Sequence, residues 1–384
     1  MAEPFKNLIN AQTVTHLGGQ LAAVWPAFDR KRFEKLARTE LESLELKARS
    51  MQLADALQAT LPSDFAHACA MIEATLAAPK PFDDAGEPLA IASNLRSHET
   101  DPGISGWAIW PLGEFVARSG MHAVPRALTC LHALTQRFSA EFAIRPFIDA
   151  HPKPTFAVLT KWLNDPSAHV RRLVSEGSRP RLPWGLRLQA LVVDPSPTLP
   201  LLRALQDDPS AYVRRSVANH LNDIAKDHPD VVAGWVREHL SDGDAARQAL
   251  LRHASRSLIK LGHAPTLQAW GLGLGLRGEV QFALSAKRAT VGTDIGLDAT
   301  VTSTATKPQP LVVDYAVHHV RANGTTSPKV FKGWKFTLAP GETKVLSKRH
   351  SLKVVTTRKL YAGEHRIELL VNGQSCADAS FMLR

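Results

Sequence analysis

Cysteine is scarce in this chain, and long apolar runs are missing. The three cysteines among its 384 residues are Cys69, Cys130 and Cys376, and no CxxC or Cys/His cluster occurs. This spacing excludes a disulfide framework or a structural zinc site and is typical of a reducing compartment. The N-terminal stretch MAEPFKNLINAQTV lacks a basic start followed by an apolar run, and no apolar run approaches a membrane span of about 18 residues. We therefore expect a soluble, cytoplasmic protein.

The composition is that of a globular protein with a basic surplus. Hydrophobic residues make up 44% and charged residues 21%, so the chain can bury a large core, and its length predicts two or more domains. The net charge is +10, and from Gly278 onward 15 Lys and Arg outnumber 8 Asp and Glu, a surplus of 7. Positive charge thus concentrates in the last quarter of the chain and predicts a polyanionic partner.

Residues 5 to 276 show helical periodicity and contain an internal repeat. Stretches such as DRKRFEKLARTELESLELKARSMQLADAL place apolar residues three and four apart. NDPSAHVRRLVSEG, from Asn164, returns 43 residues later as DDPSAYVRRSVANHLNDIAK, and GDAARQALLRHASRSLIKLG from Gly243 is a weaker third copy. A period of about 40 with Asp-Pro at the inter-helix turn indicates HEAT or armadillo repeats. Asp165 and Asp208 are then expected to be turn and cap residues.

Residues 278 to 384 follow a different pattern. Short alternating apolar runs, including VQFALSA, IGLDATVTST, LVVDYAVHHV and RIELLVNG, are separated by Asn-Gly, Pro-Gly and Ala-Gly turns. About seven short strands in about 100 residues are typical of an immunoglobulin-like β-sandwich. We therefore expect an all-α HEAT-like repeat superhelix over residues 1 to 272, followed by an all-β immunoglobulin-like sandwich over residues 278 to 384.

One acidic residue lies among arginines in the stretch VRRLVSEGSRPRLPW. Glu176 is accompanied there by Arg171, Arg172, Arg179 and Arg181. Because Arg172 and Glu176 are four residues apart, they can form an ordinary intrahelical ion pair worth a few tenths of a kcal/mol. The prolines that follow would end the helix. The spacing alone leaves open whether Glu176 has a further role.

Three stretches resemble the bacterial AlkC-type DNA alkylation repair proteins, which are HEAT-like DNA glycosylases. They are RFSAEFAIRPF from Arg137, NDPSAHVRRLVSEGSRPRLPW from Asn164 and DDPSAYVRRSVANHLNDIAKDHPD from Asp207. The SEG-RPRLPW element is the most specific of them. ELESLELKARSMQLADALQATLPSDF also resembles the family, so the likeness covers most of residues 1 to 270. The C-terminal sandwich is similar to the immunoglobulin-like extension of one subset of the family.

The resemblance implies a monofunctional DNA glycosylase of base excision repair that acts on the nucleoid in the bacterial cytoplasm. Its substrate would be double-stranded DNA carrying cationic alkylated bases, 3-methyladenine and 3-methylcytosine, and it would use no metal and no redox cofactor. The related AlkD type works without inserting the base into a deep pocket. We expect a monomer that binds no membrane. The alternative is a non-catalytic HEAT scaffold whose arginines bind nucleic acid or an acidic protein.

Two carboxylates are candidates for the catalytic role. Loss of a cationic base needs no general acid, so a carboxylate need only stabilise the oxocarbenium-like sugar and hold a water. Glu141, expected on a helix one repeat before the VRRLVSEG helix, resembles by repeat order the catalytic carboxylate of the AlkD type. Its alternative is an ion pair with Arg137 or Arg145. Glu176 is the second candidate, and its alternative is the Arg172 pair.

Aromatic and basic side chains supply the remaining candidates. Phe138, Trp162 and Trp184 are expected to contact the lesion, with a core position as the alternative for each. Asn219 stands where AlkD relatives carry an aromatic residue, so we expect it to hydrogen-bond DNA instead. About half of a basic set is expected to contact phosphates. This set comprises Arg171, Arg172, Arg179, Arg181, Arg214, Arg215, Lys226, Arg252 and Arg256. In the sandwich, where a solvated surface is the alternative, the candidates are Lys329, Lys332, Lys335, Lys348, Arg349 and Arg358.

Overall fold

The computed structural model describes residues 4–83, 86–89, 102–272, 275–354 and 359–384. The chain divides into two compact units, Met1–Asp227 and His228–Arg384. The second unit therefore contains the last helices of the helical region together with the β-strands. The domain boundaries at residues 272 and 278 rest on the change of secondary structure and remain a prediction. Part of the segment between them lies outside the described residues.

The first unit is built from α-helices. Those in its described residues are α1 (Ala11–Val24), α2 (Arg30–Arg38), α3 (Leu46–Gln58), α4 (Phe65–Ala74), α5 (Ile109–Ser119), α6 (Val124–Thr135), α7 (Arg145–Ala150), α8 (Pro152–Trp162), α9 (Ala168–Gly177), α10 (Gln189–Val193), α11 (Leu199–Leu205) and α12 (Ala211–Ile224). Short 3₁₀ helices occur at Phe5–Leu8, Leu41–Ser43, Gly106–Ala108 and Ser196–Thr198.

Capping residues determine where several of these helices begin. Before α1, Asn10 Oδ1 accepts from the Thr13 amide at 3.1 Å, and Thr13 Oγ1 accepts from the Asn10 amide at 3.2 Å, which is a capping box. Before α4, Asp64 accepts from the His67 amide at 2.6 Å. These short polar side chains satisfy amides that have no partner within the helix, so the helix starts directly after them.

The Asp-Pro turns of the internal repeat precede α9 and α12. Asp165 Oδ1 accepts from the Ser167 amide at 2.8 Å, and Asp208 Oδ1 accepts from the Ser210 amide at 2.9 Å. Each aspartate thus hydrogen-bonds the backbone two residues on, as an Asx-turn does. The predicted turn role of both aspartates is confirmed.

The first arginine of each Val-Arg-Arg triplet holds these turns together. Arg171 donates to the Asp165 carbonyl at 2.8 Å, and its Nε and Nη2 donate to the two carboxylate oxygens of Asp208 at 2.6 and 3.0 Å. Arg214 donates to the carbonyls of Asp208 and Pro209. Arg171 therefore links the turn of its own repeat to the turn of the next repeat by a bidentate ion pair, which has a defined geometry.

The second unit combines helices with a β-sandwich. Its helices are α13 (Pro229–His239), α14 (Ala245–Ala254), α15 (Arg256–Lys260) and α16 (Ala264–Ala269). Its strands are β1 (Gly278–Leu284), β2 (Arg288–Ala289), β3 (Asp294–Ser303), β4 (Gln309–Val320), β5 (Thr326–Leu338), β6 (Thr343–Ser351), β7 (Gly363–Val371) and β8 (Gln374–Leu383). One sheet has the strand order β1-β3-β6 and the other β2-β8-β7-β4-β5. Neighbouring strands are antiparallel except for the short β2, which pairs in parallel with β8.

Alternation along the strands builds the core of the sandwich. On β3, the alternate residues Ile295, Leu297, Ala299 and Val301 are buried and join one hydrophobic cluster with residues of the other sheet. The predicted order, a helical region followed by an immunoglobulin-like sandwich, is confirmed. Within the ranges that the structure describes, no helix is both long and apolar enough to span a membrane.

Candidate active site

A cleft of about 400 Å³ opens in the first unit, along α9 and the turn before α7. It contains both predicted carboxylates and two of the predicted aromatic residues. Its lining residues are Lys80, Trp107, Phe138, Ser139, Glu141, Phe142, His169, Arg172, Glu176, Arg179, Leu182, Pro183, Trp184 and Tyr212. A cleft of this size with convergent polar groups is the first candidate for a functional site. Among the described residues, no group of His, Cys, Asp and Glu is suited to hold a metal ion.

Glu141 lies in the turn between α6 and α7. The helical position predicted for it is wrong, because α6 ends at Thr135 and the next helix begins only at Arg145. Its Oε2 accepts from Ser139 Oγ at 2.7 Å and from Arg172 Nη1 at 2.9 Å, so its ion pair is made across the cleft and not with Arg145. Its Oε1 has no hydrogen-bond partner among the described residues. That oxygen is therefore available to a water or a substrate.

Glu176 is buried on α9, with 5% of its surface exposed. Its Oε1 accepts from Arg179 Nη1 and its Oε2 from Ser216 Oγ, both at 2.6 Å, so that both oxygens are engaged. The predicted intrahelical pair with Arg172 also forms, at 3.6 Å. Burial alone would raise the pKa of Glu176, but the charges of Arg172 and Arg179 and the hydrogen bonds from Ser216 and Arg179 hold that pKa below its ordinary value. Glu176 is therefore a fixed negative charge in the cleft.

Arg172 connects the two acids. Its guanidinium bonds Glu141 at 2.9 Å, lies 3.6 Å from Glu176 and sits 4.9 Å from the centre of the Tyr212 ring. Burial alone would lower the pKa of Arg172, but Tyr212 and the two carboxylates raise it above its ordinary value. One fixed cation thus draws two carboxylates from different repeats into the same cleft.

Two buried arginines hold the segment that follows α9. Arg145 is fully buried and donates to the carbonyls of Gly177 and Leu186 at 2.8 and 2.5 Å. Burial, and next the charge of Arg179, lower the pKa of Arg145 to about 10. Arg179 bonds Glu176 on α9, and its Nε donates to Asp223 at 2.8 Å. The segment between residues 177 and 186 is thereby fixed as a loop that returns to the cleft.

Trp184 occupies this loop in a strained conformation. It follows Pro183 in a turn closed by the Gly185 amide and the Leu182 carbonyl at 3.2 Å, and its φ of 64° lies in the left-handed region that favours glycine. Its surface is 64% exposed, and its ring meets that of Phe5 with centroids 6.5 Å apart. A large aromatic residue that is strained and yet exposed at a cleft indicates a functional role.

The aromatic rings of Trp107, Phe138 and Phe142 also line the cleft. Trp107 packs against Phe138 with ring centroids 4.9 Å apart, and Phe142 stacks on Trp110 at the same centroid distance. Phe138 therefore lies in the cleft with Trp184, as expected for residues that contact a base. That contact itself remains a prediction for both.

Trp162 and Asn219 are not among the residues that line the cleft. Trp162 ends α8, and its ring packs on His132 with centroids 5.4 Å apart, which is the structural alternative considered for it. Asn219 is half-buried on α12, about two turns beyond Tyr212, the α12 residue that lines the cleft. Their predicted contacts with DNA remain predictions that the cleft does not support.

His169 and Tyr212 are cleft residues that the sequence analysis missed. They occupy the same position of the repeat, in PSAHVRR and PSAYVRR, and their rings meet edge-on with centroids 5.6 Å apart. Aligning the two copies would have found them, because equivalent positions of stacked repeats are neighbours. Lys80 and Trp107 carried no comparable signal, since they lie outside the repeat copies.

The other predicted phosphate-binding residues of the first unit differ in exposure. Arg181 makes a bidentate pair with Asp227, with both distances 2.7 Å, and Lys226 bonds Asp223 at 2.8 Å. Arg215 is exposed on α12. Contact with phosphates remains a prediction for the whole set. Arg215 is its strongest member, because Arg181 and the first arginines of the triplets already donate to carboxylates or backbone carbonyls.

A second cleft, of about 470 Å³, lies within the second unit between the helices α14 and α15 and the strands β4 and β5. Four predicted phosphate-binding residues line it: Arg252, Arg256, Lys332 and Lys335. Lys348 lies above the ring of Trp334 at 5.8 Å, and Arg349 is exposed on β6. Arg358 lies outside the described residues. The cleft is strongly basic, which suits an anionic partner.

Comparisons with known proteins place the chain among its relatives. Residues 279–384 match the family model described as the C-terminal Ig-like domain of the uncharacterised protein YhaZ. The chain is 32% identical over 375 residues to the uncharacterized protein YhaZ of Bacillus subtilis (strain 168). The aligned region covers 96% of each chain. The structure is similar to that of Pseudomonas fluorescens alkylpurine DNA glycosylase AlkC bound to DNA containing an abasic site analog, with a TM-score of 0.88, 35% identity and 100% coverage of both chains.

Helical repeats followed by an immunoglobulin-like domain define the class of protein, and the similarity to AlkC extends over that whole architecture. The chain belongs to the AlkC family. The family resemblance predicted from RFSAEFAIRPF and SEGSRPRLPW is therefore confirmed.

Proposed function

We propose that this protein is a monofunctional DNA glycosylase that hydrolyses the N-glycosidic bond of cationic alkylated bases, 3-methyladenine and 3-methylcytosine, in double-stranded DNA. The observation that carries the proposal is the cleft in which Arg172 joins Glu141 and Glu176 beside the exposed ring of Trp184. The similarity to AlkC, an alkylpurine DNA glycosylase bound to DNA in its structure, supports a DNA substrate.

Glu141 is the carboxylate that acts on the reacting sugar. A base that already carries a positive charge leaves without protonation, so the sugar develops oxocarbenium character that a nearby carboxylate stabilises. At an effective dielectric of about 20 and a separation of about 4 Å, one charge pair contributes about 4 kcal/mol, on the order of a thousandfold in rate. Oε1 of Glu141 holds the attacking water while Ser139 and Arg172 fix Oε2.

Glu176 is a positioning residue in this scheme. Arg179 and Ser216 each donate to one of its two carboxylate oxygens, so neither oxygen is left without a hydrogen-bond partner to hold a water. Its carboxylate lies 3.6 Å from the Arg172 guanidinium, which also bonds Glu141 at 2.9 Å. Glu176 therefore keeps the arginine in the geometry that orients Glu141, and its own buried charge adds to the negative potential at the sugar.

The alternative function is a non-catalytic scaffold whose arginines bind nucleic acid or an acidic protein. A scaffold gives no reason for a strained, exposed tryptophan beside a carboxylate with an available oxygen. Incubating the purified protein with methylated duplex DNA and separating released bases by chromatography distinguishes the two. A glycosylase releases the alkylated base above the spontaneous rate. A protein that binds the same duplex and releases none above that rate is a scaffold.

Replacing Trp184 with Ala should slow excision about ten- to a hundredfold, because stacking on an aromatic ring contributes about 1–3 kcal/mol per base. The fold should keep its stability, since the ring is largely exposed and Ala adopts a positive φ at no greater cost. Single-turnover release of the base measures the effect. Trp162→Phe is the matched control, because that ring packs on His132 outside the cleft. Equal rates for W184A and wild type would remove the ring from the reaction.

Replacing Lys332 and Lys335 together with Gln should weaken binding to damaged and undamaged duplexes alike. Each phosphate contact contributes nearly one unit to the log–log dependence of affinity on salt, so the slope should fall by about two. Lys287 and Lys307, exposed in the same unit, provide a control double variant with the same loss of charge. If the control variant lowers the slope as much as the test variant, only net charge matters and the basic cleft binds no phosphate.

A further inference from the structure

The cleft contains a histidine that the proposed mechanism does not use. His169 lies in the first turn of α9 and is 4% exposed, yet neither Nδ1 nor Nε2 has a hydrogen-bond partner among the described residues. Burying an imidazole with both nitrogens unpaired is costly, and most buried polar groups are paired. Because His169 lines the cleft, a ligand bound there can reach these unpaired nitrogens.

The two charges that lower the pKa of His169 are positive. They are Lys80, on the segment after α4, and Arg172, one turn along α9. Tyr212 of α12 and Phe82 enclose the ring, with centroids 5.6 and 4.8 Å away.

Lys80 makes no ion pair with any described residue, whereas Arg172 is paired with carboxylates. The carboxylates on the same segment, Asp83 and Glu87, accept from backbone amides. Among the described residues that line the cleft, Lys80 thus supplies a charge without an ion-pair partner, which favours an anion and repels a cationic base.

The state of both side chains agrees with this reading. Burial, and next the charges of Lys80 and Arg172, lower the pKa of His169 to about 4, so the ring is neutral at physiological pH. Burial also lowers the pKa of Lys80. An anion placed between them would oppose both effects, because a negative charge favours the protonated form of each.

We propose that Lys80 and His169 form a phosphate subsite in the cleft, which binds a backbone phosphate beside the damaged nucleotide. The lysine supplies the charge, and the imidazole supplies a directed N–H donor within the aromatic enclosure of Phe82 and Tyr212. An alkylated nucleotide carries a cationic base and an anionic phosphate, so Lys80 and Glu141, which line the same cleft, together favour one orientation of it. The inference rests on the proposed function, because it assigns the polarity with which that substrate is bound.

Binding at this subsite should be linked to a proton. A phosphate that raises the pKa of His169 causes proton uptake on binding, since more of the ring is protonated in the complex than in the protein alone. Affinity for the duplex should therefore rise as pH falls through the pKa of the complex. It should stop rising below about pH 4, where the ring is protonated in both states.

The test is an NMR titration of the full-length wild-type protein with isotope-labelled histidine. His169 is assigned with the variants His169→Gln and His169→Phe, so that failure of one to fold does not prevent assignment. The pKa is measured alone, with inorganic phosphate, and with a duplex containing an abasic site analogue. We expect a rise of about one unit or more with the duplex. His220 is the internal control, because its pKa is also about 4 but its ring is fully buried and bonds the Ser175 carbonyl at 2.9 Å.

The outcomes separate the sources of the anion. A rise with both inorganic phosphate and the duplex supports an anion subsite, and a rise with the duplex alone supports one that requires the DNA backbone. An unchanged pKa of His169 in the saturated duplex complex overturns the proposal, as does an equal shift of His220. If the wild type shows the shift but releases no alkylated base, the subsite stands and the glycosylase function fails. Base release without the shift removes the subsite alone.

Variants provide a second measurement. His169→Phe should bind the abasic-analogue duplex about tenfold more weakly, the effect expected for a lost hydrogen bond to a charged group, and should lose the rise in affinity at low pH. Phe fits an enclosure already formed by aromatic rings, so thermal stability should be retained. Lys80→Met should weaken binding similarly, and Lys80→Arg should restore it. Unchanged affinity and pH dependence in a folded H169F would contradict the proposal.

Discussion

Replacing Glu141 with Gln should slow excision of a cationic alkylated base by roughly ten- to a thousandfold, the loss expected when one electrostatic stabiliser is removed. Gln keeps the size of the side chain and an oxygen that can accept from Arg172, but it removes the charge that faces the sugar. Arg172 retains Glu176 as a partner, so the fold and the affinity for duplex DNA should change little. Single-turnover release of the base and binding to an abasic-analogue duplex measure the two effects separately.

Two further variants sharpen this result. Ser139→Ala removes a hydrogen bond to Glu141 but leaves its charge, so excision should slow by about tenfold, the effect of one hydrogen bond to a charged group. Glu176→Gln should slow excision and also destabilise the protein, because Arg179 and Arg172 lose part of their compensation. Full activity in Glu141→Gln combined with strong loss in a stable Glu176→Gln would exchange the roles of the two acids.

Replacing Arg179 with Met should lower the free energy of unfolding by about 3–5 kcal/mol, the cost of breaking a buried ion pair on one side. Met approximates the length of the arginine stem but leaves Glu176 without its bond to Arg179, and among the described residues Asp223 keeps Lys226 as its ion-pair partner. Denaturant unfolding followed on the full chain measures the change. Arg215→Met is the matched control in the same unit, because that exposed arginine should cost no more than about 0.5 kcal/mol.

The same variant decides between two roles for Arg179. If Arg179 bound a phosphate rather than Glu176 and Asp223, its replacement would weaken DNA binding and leave the free energy of unfolding unchanged. The structure favours the opposite pattern, because only 8% of its surface is exposed and two carboxylates already take its donors. A loss of stability no larger than that of Arg215→Met would show that the buried network contributes little to the fold.

The local features of the fold were predictable because they depend on short-range chemistry. The turns at Asp165 and Asp208 are predictable, because an aspartate before proline often hydrogen-bonds the backbone amide two residues on, as both do here. Strand alternation likewise identified the sandwich. The grouping of α13 to α16 with the strands in one compact unit was not predictable, because helical periodicity shows that a face is buried without showing what covers it.

The site was predictable in its residues but not in its geometry. Glu176 was identified from its arginine neighbours, Glu141 from its resemblance by repeat order to the AlkD type, and Trp184 from its nearness to these acids. All three line one cleft. That Glu141 lies in a turn follows from the end of α6, and its pairing with Arg172 follows from the stacking of repeats. Neither is encoded in a local pattern. Trp162 was also chosen because it lies near the acids in sequence, but its ring packs on His132 outside the cleft. Nearness in sequence does not predict this packing.

The most direct test of the central claim, that this cleft breaks the glycosidic bond, is single-turnover base release from a duplex with one defined cationic alkylated base. Wild type is compared with the double variant Glu141→Gln, Glu176→Gln at enzyme concentrations that saturate the duplex in both cases. Wild type should give free alkylated base and an uncut abasic strand, and the folded double variant should release base at close to the spontaneous rate. Release at the wild-type rate by that variant would contradict the central claim, as would no release from wild type that is bound to the duplex.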